Sequence, residues 1–239
     1  MFRFSLFGVP VEIQPWFWLT TAWLGGAMKA RTSADMTGVL LFIVIAMISI
    51  LVHEFGHALV GRRLGGGRAS IVLWSFGGLA YSHGGRFTRT TNFWRVAAGP
   101  GAGFVLLLMV IAALCIAYTP AGGIAITSWE LFHHLYLNGI TPEVETLLTS
   151  DLPKMTIIHH FLVINFWWGV LNLLPVLPLD GGRIADLYVK PQRRVYLVGV
   201  ITGVVVALYC LSIGRGYTAV MFGYLAFQNY QNMQNNRWI

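Results

Sequence analysis

Charge is scarce in this chain. Only 10% of its 239 residues are Asp, Glu, Lys or Arg, where an ordinary soluble domain carries about 25%. Length alone would allow one or two soluble domains, but no polar stretch is long enough to form one. Cysteine is nearly absent as well. Cys115 and Cys210 both sit in apolar runs, which makes them poor disulfide or ligand candidates and leaves buried packing as their role. There is no internal repeat and no low-complexity tract. The net charge is +7, yet the basic residues form no amphipathic helix or stripe. They sit in short connections between apolar segments, where topology control puts them, so nucleic acid is not the expected partner.

What the chain has instead is apolar length. Hydrophobic residues make up 56% of it, and the mean hydropathy is +0.66. Six runs stand out: 13–28, 38–60, 93–118, 157–179, 195–213 and 217–227. The second is about 35 Å long as a helix at ~1.5 Å per residue, enough to cross a bilayer. The first follows Arg3 as a signal peptide would. Trp16, Phe17 and Trp18 read better as an interfacial aromatic belt, and no small-residue cleavage site follows. The expected fold is a membrane all-α protein of about six transmembrane helices, one polytopic domain over residues 1–239.

Two connections are more than turns. Residues 65–91 are Gly-rich and hold β-favouring Ile71-Val72-Leu73-Trp74 and Leu79-Ala80-Tyr81, with Gly77-Gly78 between them. A small β-hairpin or sheet insertion between helices 2 and 3 is expected there. The segment 119–154 carries Glu130, Glu143, Glu145 and Asp151 and is expected at the non-cytoplasmic surface, partly structured. After the last run about a dozen polar residues remain, so no appended regulatory domain is expected.

Six spans put both termini on one side. That side collects Arg3, Arg62, Arg63, Arg68, Arg86, Arg89, Arg95, Arg183, Lys190, Arg193, Arg194 and Arg237. The other side holds Lys29, Arg31, Lys154 and Arg215. Twelve against four places both termini in the cytoplasm.

Within the second run lies His53-Glu54-Phe55-Gly56-His57. On a helix, His53 and His57 are four apart and share a face, so both imidazoles can hold one metal ion. Glu54 is one residue on, and its carboxylate suits a general base acting on water at the metal. A solvated surface helix is excluded by Leu51-Val52 before the motif and Ala58-Leu59-Val60 after it. A structural zinc usually takes four protein ligands with no free carboxylate beside them, whereas a catalytic zinc takes three and keeps one position open. The third ligand must come from elsewhere. Asp180, in Asn172-Leu-Leu-Pro175-Val-Leu-Pro178-Leu-Asp180-Gly181-Gly182-Arg183, is the candidate. The prolines and glycines break a span there, and broken backbone at membrane depth must be buried or line a wet cavity. A cap or turn role for Asp180 is the alternative.

H-E-F-G-H followed by N-L-L-P-V-L-P-L-D-G-G-R resembles the site-2 protease family of intramembrane zinc metalloproteases. Gly8-Val9-Pro10-Val11, Gly77-Gly78 and Ala98-Gly99-Pro100 extend the resemblance over most of the chain. The compact layout, with no inserted PDZ and no trailing CBS domain expected, is similar to the branch of the sporulation pro-sigma-factor protease. Leu177 departs modestly from residues common before the second proline. The resemblance implies one Zn2+ held by His53, His57 and Asp180, Glu54 as catalytic base, and Asn172 and Pro178 at the substrate site. It implies a multi-pass enzyme, in bacteria in the inner membrane. Its substrates would be single-span or membrane-anchored proteins such as an anti-sigma factor, a pro-transcription factor or a signal-peptide remnant.

Other polar residues read more plainly. Asn172 also suits a span–span hydrogen bond, and Asn165, two turns earlier, is read as structural. His133-His134 and His159-His160 suit interfacial or solvated positions. His83 is a surface residue or a gate element. Arg62-Arg63 and Arg193-Arg194 are topology signals compatible with anionic lipid. An exposed edge in 69–81 would let an unwound substrate add as a strand. Two other functions remain open: a non-catalytic metal-binding scaffold or transporter, and a peptidase for soluble peptides at the cytoplasmic face. A transporter would show further intramembrane carboxylates, and beyond Glu54 and Asp180 only Glu12 comes near.

Overall fold

The computed structural model describes residues 1–75, 77–132, 142–150 and 152–235. The chain opens on a β-hairpin, β1 (Phe2–Leu6) and β2 (Val9–Ile13), followed by helices α1 (Pro15–Leu24) and α2 (Ser33–Gly65). A second hairpin, β3 (Arg68–Trp74) and β4 (Gly77–His83), leads into α3 (Arg89–Ala117). Then come α4 (Thr119–Phe132), α5 (Pro142–Ser150), α6 (Leu152–Asn172), α7 (Asp180–Tyr188), α8 (Gln192–Ser212) and α9 (Gly216–Asn235).

Among the described residues, three helices are long and apolar enough to cross a membrane: α2, α3 and α8. α2 has 33 residues, about 50 Å at ~1.5 Å per residue. Its start is fixed by a capping box. Thr32 Oγ1 accepts the Asp35 N–H at 3.1 Å, and Asp35 Oδ2 accepts the Thr32 N–H at 2.9 Å. Thr88 and Thr91 cap α3 in the same way. α6 and α9 have 21 and 20 residues but carry more polar side chains.

The expected hairpin is present, and it belongs to a larger sheet of order β1-β2-β3-β4. β2 and β3 run parallel, Val11 opposite Ile71, with α1 and α2 forming the crossover. The N-terminal hairpin was not expected. Its signal is the alternation in V-P-V-E-I: Val9, Val11 and Ile13 are buried and Pro10 and Glu12 are not. Phe7 and Gly8, at φ 51° and 69°, make the turn between β1 and β2. Ile13, expected to open the first span, is the last residue of β2. Arg62, expected as a topology signal compatible with anionic lipid, donates from Nη1 to the Phe7 carbonyl at 3.1 Å and ties this turn to the end of α2.

α1 is only 10 residues, about 15 Å. The sheet from which it starts lies beside α2, not beyond its end. Gly78 of β4 packs on the Glu54 side chain, and Gly25, just past α1, packs on Phe42. Those two levels of α2 are twelve residues apart, about 18 Å. The segment 119–154 also departs from expectation. α4 packs inward, with Ile126 and Leu131 buried against Leu107, Leu114, Val144 and Leu162.

Candidate metal centre

His53 and His57 sit one turn apart on α2, buried at 3% and 7% exposure. Their Nε2 atoms are 3.2 Å apart. Asp180, the first residue of α7, brings Oδ2 to 3.0 Å from His53 Nε2 and 3.2 Å from His57 Nε2. The three atoms form a nearly equilateral triangle. Tetrahedral bonds of about 2.0–2.1 Å require ligand atoms about 3.3 Å apart, so the spacing fits a zinc-sized ion. Two neutral imidazoles and one carboxylate also fit the chemistry of such an ion.

The surroundings fix these donors. His57 Nδ1–H donates to the Arg95 carbonyl at 2.9 Å, which leaves Nε2 free for metal. Asp180 Oδ1 turns toward Arg183 Nη1 at 3.8 Å, and the carboxylate stands in the first turn of α7, where the helix dipole favours negative charge. The motif glycines make room. A Cβ at Gly99 would overlap the His57 ring, and one at Gly56 would strike the Ala98 carbonyl. Gly181 and Gly182 press on the backbone of Leu173, Leu174 and Val176. The break between α6 and α7 therefore folds back tightly and aims Asp180 at α2.

Glu54 is buried beside the triangle, with its carboxylate within 4.8 Å of the His53 and His57 ligand atoms. Both Glu54 and Asp180 are thus near the imidazoles. Asp180 Oδ2 approaches both rings to 3.0–3.2 Å. All four face a cavity of about 360 Å³. Asn172 and Pro178 line it too, as do Trp74, Trp168 and Arg183.

Several residues differ from expectation. Asn172 Nδ2 donates back to the Trp168 carbonyl of its own helix at 2.9 Å rather than across to another span. Asn165 has the structural role expected, donating to Ser49 Oγ of α2 at 2.9 Å. His159 and His160 are not simply solvated: His159 Nδ1 pairs with buried Glu130 at 2.5 Å, and His160 packs edge-on to Phe42. Glu130 is therefore a further buried carboxylate that the reading of 119–154 as a surface loop had missed. Glu12 pairs with Arg3 at 2.9 Å within the sheet. His83 bonds Ser70 Oγ at the far end of β4 from Gly78. Within 69–81, β3 pairs with β2 over 71–73 and with β4 along its length, so among the described residues β4 is the edge strand of the sheet here. Cys210 is buried and Cys115 half-buried, both as free thiols. His133, His134, Asp151 and Arg237 lie outside the described residues. Sequence reasoning missed the fourth wall of the cavity, Met221, Phe222, Tyr224, Leu225 and Gln228 of α9. The apolar run ending at 227 hid it, because the helix continues past Gln228 to Asn235.

A family model described as peptidase family M50 matches residues 41–210. Rip3 of Mycobacterium tuberculosis, provisionally named a zinc metalloprotease, is 30% identical over 176 residues, 72% of this chain and 37% of its own length. A zinc metalloprotease of Methanocaldococcus jannaschii is 24% identical over 181 residues, 76% of this chain and 43% of its own. The chain thus spans about two fifths of the length of these curated relatives. The solved site-2 protease from Methanocaldococcus jannaschii shares the fold, with a TM-score of 0.52, 19% identity, and coverage of 98% of this chain and 94% of that one.

Proposed function

Because this chain belongs to peptidase family M50, we propose that it is an intramembrane zinc endopeptidase. It cuts a peptide bond within or near the transmembrane segment of a membrane-anchored protein. The observation that carries this reading is the triangle of His53, His57 and Asp180 beside buried Glu54, on a helix able to cross a bilayer. Metal-binding and acidic groups are costly at such depth and rare there unless they do chemistry.

His53, His57 and Asp180 would hold one zinc ion. When bound, zinc brings the pKa of a coordinated water to about 7 and polarises a carbonyl oxygen. Glu54 takes the proton of the attacking water and passes it to the leaving amine. Asn172 spends one amide N–H on Trp168 and offers the other to the substrate backbone, while Pro178 shapes the wall. A substrate helix must unwind first, and its freed backbone groups then need partners that lipid does not offer. The β4 edge supplies them: a fifth strand added there runs past Gly78, against Glu54.

α2, α3, α6, α8 and α9 cross the bilayer in this reading, and α1 is a short sixth crossing that starts from the immersed sheet. Both termini face the cytoplasm, an orientation the twelve-to-four charge asymmetry supports, and the membrane of the proposal is a bacterial inner membrane. Substrates of the class are anti-sigma factors, pro-transcription factors and signal-peptide remnants. Co-expression with a tagged single-span substrate tests the function. Glu54→Gln should lower cleavage about 10²–10⁴-fold and keep its zinc. Full cleavage by that variant contradicts the role given to Glu54, and no cleavage by the wild type would favour a metal-binding scaffold or transporter.

A further inference from the structure

We propose that Asn229 of α9 is a positioning residue for the metal centre: it holds the Leu177 carbonyl and thereby sets where Asp180 presents its carboxylate. The inference rests on the zinc-site reading above.

Leu177 lies in the broken segment between α6 and α7, three residues before Asp180. That segment is poor in backbone donors, because Pro175 and Pro178 have no N–H. Its remaining bonds form a tight turn. Val176 N–H reaches the Leu174 carbonyl at 2.7 Å, and Leu179 N–H reaches the Val176 carbonyl at 2.8 Å. The Leu177 carbonyl is held from outside, by Asn229 Nδ2 at 2.7 Å. The second N–H of the same amide goes to the Leu225 carbonyl at 2.8 Å. Both donors are thus committed and the side chain has one orientation.

Asn229 is 1% exposed, and its Oδ1 is buried with no hydrogen-bond partner among the described residues. An acceptor stranded at membrane depth is unfavourable, and a leucine would avoid it. Asparagine therefore stands here for what its amide donates. Gly199 of α8 is matched to it, since a Cβ there would meet Asn229 Oδ1. α9 also borders the cavity through Phe222 and Leu225, which pack on Val176 in the turn. Asn229 fixes the backbone of the Val176–Leu179 turn, and Asp180 is the next residue. Slippage of that turn moves Oδ2 away from its 3.0–3.2 Å stations at His53 and His57.

The test is zinc affinity of the purified full chain, measured by competition with a chelator, alongside thermal melting. Asn229→Leu should weaken zinc binding about 10–100-fold, as loss of an outer-shell partner does. Cleavage should fall at limiting zinc, recover with excess zinc, and keep its KM. A merely structural role would lower the melting temperature and leave the zinc affinity alone, and that result overturns the proposal. If Asn229→Leu does not fold, Gly199→Ala decides: it displaces the amide without removing it and should weaken zinc several-fold, and unchanged affinity overturns the proposal. Wild-type protein that binds no zinc in the same assay would overturn the underlying zinc-site reading instead.

Discussion

Two clusters among the described residues are built from the same kinds of side chain and differ in how they are arranged. At one, His53, His57 and Asp180 converge beside Glu54. At the other, Glu130 of α4 pairs with His159 of α6. His159 is thirteen residues before the end of α6, about 20 Å along the helix from Asn172 at the cavity. The first cluster brings three donor atoms to mutual distances of 3.0–3.2 Å, locks one imidazole through its other nitrogen, and opens on a cavity. The second has one imidazole and one carboxylate in direct contact, and the His159 side chain is 39% exposed. A histidine and a carboxylate at depth do not make a metal site. Convergence, fixed tautomers and space for a substrate do.

The comparison breaks most sharply at Asp180. Asp180→Ala should lower zinc from about one ion per chain to well below it, with cleavage down at least as far as the outer-shell loss of about 10–100-fold. Metal analysis of the purified variant reads the first and the substrate assay the second. Unchanged stoichiometry removes Asp180 from the ligand set.

Gly99→Ala tests the packing that lets the donors meet. Its methyl has no room against the His57 ring. Overpacking should cost about 1–3 kcal/mol of stability and weaken zinc binding in the same protein, both visible in melts with and without added zinc. A neutral melt and unchanged affinity would mean that the α2–α3 crossing yields more than its close packing allows.

The smallest effect belongs to the outer pair. His159→Ala leaves Glu130 buried without that partner and should cost about 1–2 kcal/mol of stability, less than a deeply buried pair because His159 is partly exposed. Zinc content and cleavage should stay at wild-type levels. Loss of zinc in this variant would join the two clusters into one functional network.

The sequence made the first cluster legible because its spacing is local. Four residues on a helix are one turn, so His53 and His57 could be placed together at once, with Glu54 beside them. Asp180 was harder. It lies 123 residues past His57, and only the break signalled by Pro175, Pro178, Gly181 and Gly182 pointed inward. What joined it to the histidines before any coordinates was the resemblance to a family. The long helices were legible from apolar length, but the depth of the sheet was not. β1 and β2 are five residues each, too short to stand out, and Pro10 interrupts the run. Residues 9–13 went to β2, and α1 is left with 10 residues, a division no hydropathy window contains. Glu130 was misread because its segment is less apolar than the long runs, although α4 packs Ile126 and Leu131 into the interior. The cavity wall from α9 was hidden for a related reason: Gln228 and Asn229 look like the end of a span, yet Gln228 lines the site and Asn229 grips Leu177.

The central claim is that three side chains from two distant segments hold one zinc ion inside the membrane domain. X-ray absorption at the zinc edge of the purified full chain tests it most directly. The account predicts a first shell of nitrogen and oxygen at about 2.0–2.1 Å, with two imidazoles and no sulfur, in which His53→Ala and His57→Ala each lose one imidazole. A shell containing sulfur, or imidazole scattering unchanged in both variants, would contradict it.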